Sequence, residues 1–179
     1  MESLRVGQHN LNVERTLLRT PGSKNQRLKD AATCKGTMSP ISRYHIAGLG
    51  DELYWVKEYM IPQPKGVAWE ARRQQSLAGM VDTPDGPIGA CEVFDWDDRC
   101  IIMQYLDGFK MLSQIKNGHM RLRILRQVGV WLEAKQVTEY DLSLNNVMVL
   151  NDVVVMVDFA YSPSITRQKQ LVFLDYALW

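Results

Sequence analysis

In the stretch TEYDLSLNNVMVLNDVVVMVDFAY, residues 138–161, two acids and an amide bracket a run of strand-forming valines. Asp141 and Asn146 lie five apart before the run, and Asp158 ends it. Oxygen donors of this kind suit Mg²⁺, a hard ion that takes few protein ligands and keeps waters for itself and for phosphates. Asn146 and Asp158 are the candidate metal ligands, and Asp141 is placed to be the base that orients an attacking hydroxyl. Together they are the equipment of phosphoryl transfer. Taken singly, each has a plainer role: a capping Asp141, a turn Asn146, a strand-end Asp158.

The segments VMVL and VVVMV read as a hairpin turned at Asn151-Asp152, whose side chains tolerate the left-handed backbone of a two-residue turn. That turn brings all three candidates to one end. Upstream, residues 40–60 read as two strands, PISRYHIAG and ELYWVKEYM, joined by Leu49-Gly50-Asp51 and stopped by Pro62 and Pro64. Residues 66–80 carry Val67, Ala68, Ala71 and Leu77 at helical intervals. TPDGP is turn chemistry, and IGACEVFDWDDRCIIMQYLDG reads as two strands around the acidic turn Asp95 to Arg99. Residues 119–136 place Leu122, Leu125, Val128 and Leu132 on one stripe, the mark of a helix with one buried face.

The expected fold class is α+β and two-lobed: an antiparallel sheet of at least four strands with one helix, then a helical half ending in the hairpin. The expected boundaries are a loosely ordered lead-in at 1–29, rich in Asn, Gln, Ser, Thr and Gly, and one domain at 30–179. Within it the N-terminal lobe covers about 30–106 and the C-terminal lobe about 107–179.

Composition removes several classes. The chain has 179 residues, enough for one core, with 46% hydrophobic and 23% charged residues, the balance of an ordinary globular protein. A net charge of +1 gives no basis for nonspecific nucleic-acid binding, and the basic series Lys110, Lys116, Arg121, Arg123, Arg126 reads as the wet face of a helix. Cys34, Cys91 and Cys100 form no CxxC pair, so neither a disulfide framework nor a zinc site is expected, and His9, His45 and His119 read as ordinary histidines. The longest apolar run, VVVMV, is far short of the roughly 20 residues of a membrane helix. The N-terminus lacks the apolar core of a secretory signal peptide.

The strings YDLSLNN and VDFAY resemble the catalytic loop and the Asp-Phe-Gly motif of the protein kinase superfamily. Companions fall in the family's order across about residues 30–162. YWVKEY resembles the strand whose lysine contacts ATP phosphates, which makes Lys57 that candidate, with an exposed strand lysine as the plainer alternative. Glu70, in AWEARRQQ, is the only acid of the following helix and the implied ion-pair partner. IIMQYLDG resembles the hinge strand: Met103 at the gatekeeper place, Gln104, Tyr105 and Leu106 offering backbone groups to adenine, and Asp107 reaching the ribose. Gly36 and Thr37, in CKGTMSP, are the implied phosphate contacts, in a loop with one glycine where the family has several. The implied cofactors are ATP and Mg²⁺.

The departures are specific. Glu139-Tyr140 stands where the family has His-Arg, so an activation loop has no arginine on which to dock. Ser143 replaces a catalytic-loop lysine, leaving the developing negative charge to Mg²⁺ and Lys57. Ala160 replaces the motif's glycine, and only residues 161–179 follow it. The brevity resembles the minimal kinases that pathogenic bacteria inject into eukaryotic cells by type III secretion. Enteric effector kinases share the Tyr-Asp-Leu string. The Hop-type minimal kinases of plant-associated bacteria share the short tail, and they inactivate the host's ninety-kilodalton heat-shock chaperone by phosphorylating it. The resemblance thus implies a monomeric Ser/Thr protein kinase working in the host cytoplasm on a protein substrate, with no nucleic acid and no membrane span. Two other readings stay open: a pseudokinase that binds nucleotide or a partner, and a small-molecule kinase of the aminoglycoside or choline type. Ser162, Ser164 and Thr166 are candidate autophosphorylation sites by proximity alone.

Overall fold

The computed structural model describes residues 2–17, 42–137, 140 and 142–159. In chain order the strands are β1 (Glu2–Val6), β2 (His9–Leu17), β3 (Ser42–Leu49), β4 (Glu52–Tyr59), β5 (Gly79–Thr83), β6 (Gly86–Ala90), β7 (Val93–Trp96), β8 (Cys100–Gln104), β9 (Lys110–Met111), β10 (Val147–Leu150) and β11 (Val153–Met156). Two α-helices join them, α1 (Pro64–Leu77) and α2 (Gly118–Ala134). The fold is α+β. The chain divides into two compact units, Met1–Val67 with Phe94–Tyr105, and Ala68–Val93 with Leu106–Trp179. This departs from a single cut near residue 106, because residues 68–93 group with the C-terminal half.

The first unit begins where the sequence alone marks a loose lead-in. β1 and β2 form an antiparallel hairpin, with Gly7 in the left-handed backbone at φ 57°. The polar residues that make this segment look unstructured take the outer positions of strands whose inner positions, Val6, Leu11 and Val13, are buried. β2 then pairs with β3, with a register shift between Val13 and Arg15 that bends the strand. The sheet runs β1-β2-β3-β4-β8-β7 and curls until its ends meet. Gly7 N–H donates to Asp97 Oδ2 at 3.2 Å, and His9 Nε2 stands 3.1 Å from Asp95 Oδ2. Val6, Leu11, Ala47, Val56, Cys100 and Ile102 fill the interior of the curl. Each fully buried Val or Ile there stabilises by about 1.5–3 kcal/mol.

A polar seam runs across the same unit. Thr16 Oγ1 lies 3.0 Å from His45 Nδ1, His45 Nε2 lies 3.0 Å from Glu58 Oε2, and Arg99 Nη2 donates to Glu58 Oε1 at 2.9 Å. Because His45 is buried, both ring nitrogens need partners, and the seam supplies them from two neighbouring strands.

In the second unit the sheet order is β5-β6-β11-β10-β9. β6 and β11 pair in parallel and the other described strand pairs are antiparallel, so this half is a mixed sheet with α2 and most of α1 rather than a purely helical lobe. α2 starts at Asn117, whose side chain accepts the Met120 N–H at 3.1 Å. Its buried stripe is Ile124, Leu125, Val128, Trp131 and Leu132, while Leu122 is half-buried. Gln127 fixes the helix against the β5–β6 turn, donating to Thr83 Oγ1 at 3.1 Å and to Gly86 C=O at 2.8 Å. Gly86 must be glycine twice over: its φ is +118°, and a Cβ there would collide with the Asp152 backbone oxygen. Of the basic series, Arg123 and Arg126 are exposed on α2, whereas Lys110 lies in β9 and Lys116 precedes the helix. No helix among the described residues is long and apolar enough to cross a membrane.

Burial, with Asp97 and Glu58 nearby, pushes the Cys100 thiol from 9.0 up to about 12. The folded chain therefore keeps a proton that the unfolded chain releases near pH 9, and this stabilisation is full below that pH and is lost as pH rises toward about 12. Urea midpoints measured between pH 8 and pH 11 should fall more steeply for the wild type than for Cys100→Ala; parallel curves would contradict the burial of this thiol.

Candidate active site

Asn151 opens the β10–β11 turn with φ 54°, and the register runs Leu150↔Val153 back to Val147↔Met156. The next pairing continues it: Val157 N–H donates to Asn146 C=O at 3.0 Å. Asn146 and Asp158 are thereby held at the same end of the hairpin. Asn146 is buried, and its own N–H donates to Ser143 C=O at 2.8 Å, which closes the loop in front of β10.

Asp158 is half-buried and carries φ 66°. A left-handed backbone costs an L-residue roughly 1–2 kcal/mol, less for Asp than for bulkier side chains. Such strain persists only where neighbouring contacts over-determine it, and it concentrates at functional positions. Here it redirects the chain at the residue that follows a fully buried valine run.

The helix bearing Glu70 is tied to the same strand. Glu70 and Gln74 lie one turn apart on α1 and are both fully buried. Gln74 Nε2 donates to Cys91 C=O at 2.9 Å, and Cys91 N–H donates to Met156 C=O at 2.9 Å. A hydrogen-bonded path thus leads from the buried face of α1 to a point two residues before Asp158. The second unit brings together Glu70's helix, Asn146 and Asp158.

Lys57 belongs to the first unit. It is 2% exposed, which removes the exposed-lysine alternative, and its Nζ lies 4.9 Å from the centre of the Tyr59 ring. Lys57 pairs with Ile101, Trp55 with Met103 and Tyr54 with Gln104, so Lys57 and Met103 occupy the same face of the sheet, opposite the curl's interior. Met103 is buried, Gln104 exposed and Tyr105 half-buried. Leu106 and Asp107 fall in the second unit, in a turn where Phe109 N–H reaches Leu106 C=O at 3.4 Å and Gly108 has φ 71°. Neither Lys57 nor Glu70 lacks a partner. Asp141, Gly36 and Thr37 lie outside the described residues, as do Glu139, Ala160, Ser162, Ser164 and Thr166.

The donor set at the hairpin end is one amide oxygen and one carboxylate. Among the described residues no group of three His, Cys, Asp or Glu side chains could hold a metal ion. Amide and carboxylate oxygens are the donor type that hard divalent cations such as Mg²⁺ take. Gln74 and Tyr140 carry site geometry that motif spacing does not reveal: Gln74 has no signal beyond its distance of four from Glu70, and Tyr140 stands out only as a departure from the kinase pattern. No protein-family model matches the chain, and no curated protein matches it.

The left-handed backbone at Asp158 has a direct test. Asp158→Gly should be more stable than Asp158→Ala by about 0.5–1 kcal/mol in urea unfolding, since glycine adopts this conformation without steric cost. The usual order, with alanine the more stable, would contradict the conformation.

Proposed function

We propose that the chain is an ATP- and Mg²⁺-dependent protein kinase that transfers the γ-phosphate to a Ser or Thr hydroxyl of another protein. The observation that carries the reading is the hairpin end: Val157 N–H on Asn146 C=O at 3.0 Å, with Asp158 turned into the left-handed region immediately afterwards. An amide oxygen and a carboxylate fixed by one hydrogen-bonded pair are a natural holder for the ion that accompanies nucleotide phosphates. Mg²⁺, when bound, would neutralise charge on the phosphate oxygens.

The remaining roles follow the resemblance of YDLSLNN, VDFAY, YWVKEY and IIMQYLDG to kinase motifs. Asp141 takes the proton of the acceptor hydroxyl, whose oxygen bonds to the γ-phosphorus as the bond to the β–γ bridging oxygen breaks and ADP leaves. Lys57 steadies the phosphates. Burying a lysine or a glutamate is costly unless its charge is compensated, and both Lys57 and Glu70 are buried with partners, which favours a specific electrostatic role for each. Met103 to Leu106 offer adenine its backbone partners, Asp107 reaches the ribose, and Gly36 and Thr37 contact phosphate. The proposed acceptor, on the resemblance to minimal effector kinases alone, is a folded host protein, the ninety-kilodalton heat-shock chaperone, with the enzyme delivered from a bacterium into the host cytoplasm and acting as a monomer.

The test is incubation of the purified chain with Mg²⁺ and γ-labelled ATP, first alone and then with eukaryotic lysate, identifying any protein that gains phosphate. Asp158→Asn tolerates the left-handed backbone and removes the charge, so transfer should drop about 10³-fold, the several kcal/mol that a catalytic metal supplies. Nucleotide binding without transfer to any acceptor would overturn the enzyme and favour a pseudokinase.

A further inference from the structure

Tyr140 is among the largest fully buried side chains, at 1% exposure. Its hydroxyl lies 2.9 Å from Asn146 C=O and 2.8 Å from Val157 C=O. A phenol has one proton, so that proton is shared between two carbonyls already joined through the Val157 N–H bond to Asn146 C=O. The Tyr140 ring packs against Phe159, with centroids 4.8 Å apart. These contacts reach the residues on both sides of Asp158, the position with φ 66°. The hydroxyl clamps the carbonyl before it, and the ring holds the side chain after it.

We infer that the Tyr140 hydroxyl is the positioning group that keeps Asn146 and Asp158 in register for metal-dependent nucleotide binding, an inference that rests on the phosphoryl-transfer reading above. Tyr140 touches neither nucleotide nor metal in this role. It acts through two backbone carbonyls, as outer partners of metal ligands do when they fix ligand orientation, where loss typically costs 10–100-fold in metal affinity. The residue therefore has a purpose of its own at the place where kinases carry a charged side chain: it couples the loop before β10 to the chain leaving β11.

The experiment uses the full chain, Tyr140→Phe and Phe159→Leu, and two readouts. The first is amide hydrogen exchange without ligand. In the wild type the Val157 amide should be protected as strongly as those of Val149 and Val154. In Tyr140→Phe it should exchange at least about tenfold faster while the two strand amides are unchanged. Weak Val157 protection in the wild type, or protection unaltered by the substitution, would overturn the clamp, and the wild-type arm holds even if the variant does not fold.

The second readout is ATP binding titrated with Mg²⁺. Tyr140→Phe should bind metal-free ATP as the wild type does but require at least about tenfold more Mg²⁺ for half-saturation. Phe159→Leu, which keeps the hydroxyl, should stay within about threefold of the wild type in Mg²⁺ requirement. An unchanged Mg²⁺ requirement in Tyr140→Phe, equal loss of metal-free binding, or an equal shift in Phe159→Leu would each reject the hydroxyl's positioning role. A wild type that binds no ATP under any metal condition would instead reject the kinase reading, with the exchange data still deciding whether the clamp exists.

Discussion

Strand β11 is hydrogen-bonded along both sides, parallel to β6 and antiparallel to β10, and most of the second unit's order depends on that double pairing. Val154, Val155, Met156 and Val157 are all buried. A central strand with both faces covered resists slipping, because a shift of one residue would exchange every side chain between faces. The register is then inherited at the strand's end. Asn146 meets position 157, Cys91 meets Met156, and Gln74 meets Cys91, so a loop, a strand end and a helix take their positions from one row of backbone bonds.

The first unit meets a different constraint. Its curled sheet has an apolar interior, yet the opposite face carries Lys57 fully buried, and a seam of Thr16, His45, Glu58 and Arg99 crosses its strands. An apolar residue of similar volume would be the cheaper occupant at position 57 if stability alone mattered. A buried charge is costly unless it is compensated, and Lys57 and Glu70 are both buried with partners. The two units thus share a pattern in which ordinary hydrophobic packing supports a few buried polar groups of high specificity.

Much of the fold was legible in the sequence, because it rests on local periodicity. The strands around Gly50, the helix through Glu70, the helix through Leu125 and the valine hairpin all follow from alternation, helical spacing and turn residues. Long-range pairing was not legible. Nothing in GPIGA specifies a parallel neighbour 66 residues away, Val154 beside Ile88, so the mixed sheet and the grouping of residues 68–93 came from the structure. The hairpin at 2–17 was hidden by composition, since its polar residues outnumber the few apolar ones that decide its inner face. At the candidate site, residue types and order pointed to Asn146 and Asp158. The backbone angle at Asp158 and the Tyr140 hydroxyl contacts are properties of three-dimensional closure, which no spacing rule encodes.

The closing of the curled sheet bears on how the chain can be handled. β1 and β2 cover the edge of β3, and the bonds from Gly7 and His9 to the Asp95–Asp97 segment cover the far end. A truncated version starting after residue 17 would look harmless by composition. It would remove the β2 partners of Tyr44, His45, Ile46, Ala47 and Gly48, and an unprotected strand edge is a template for intermolecular pairing. The small N-terminal hairpin is thus what occupies this side of β3.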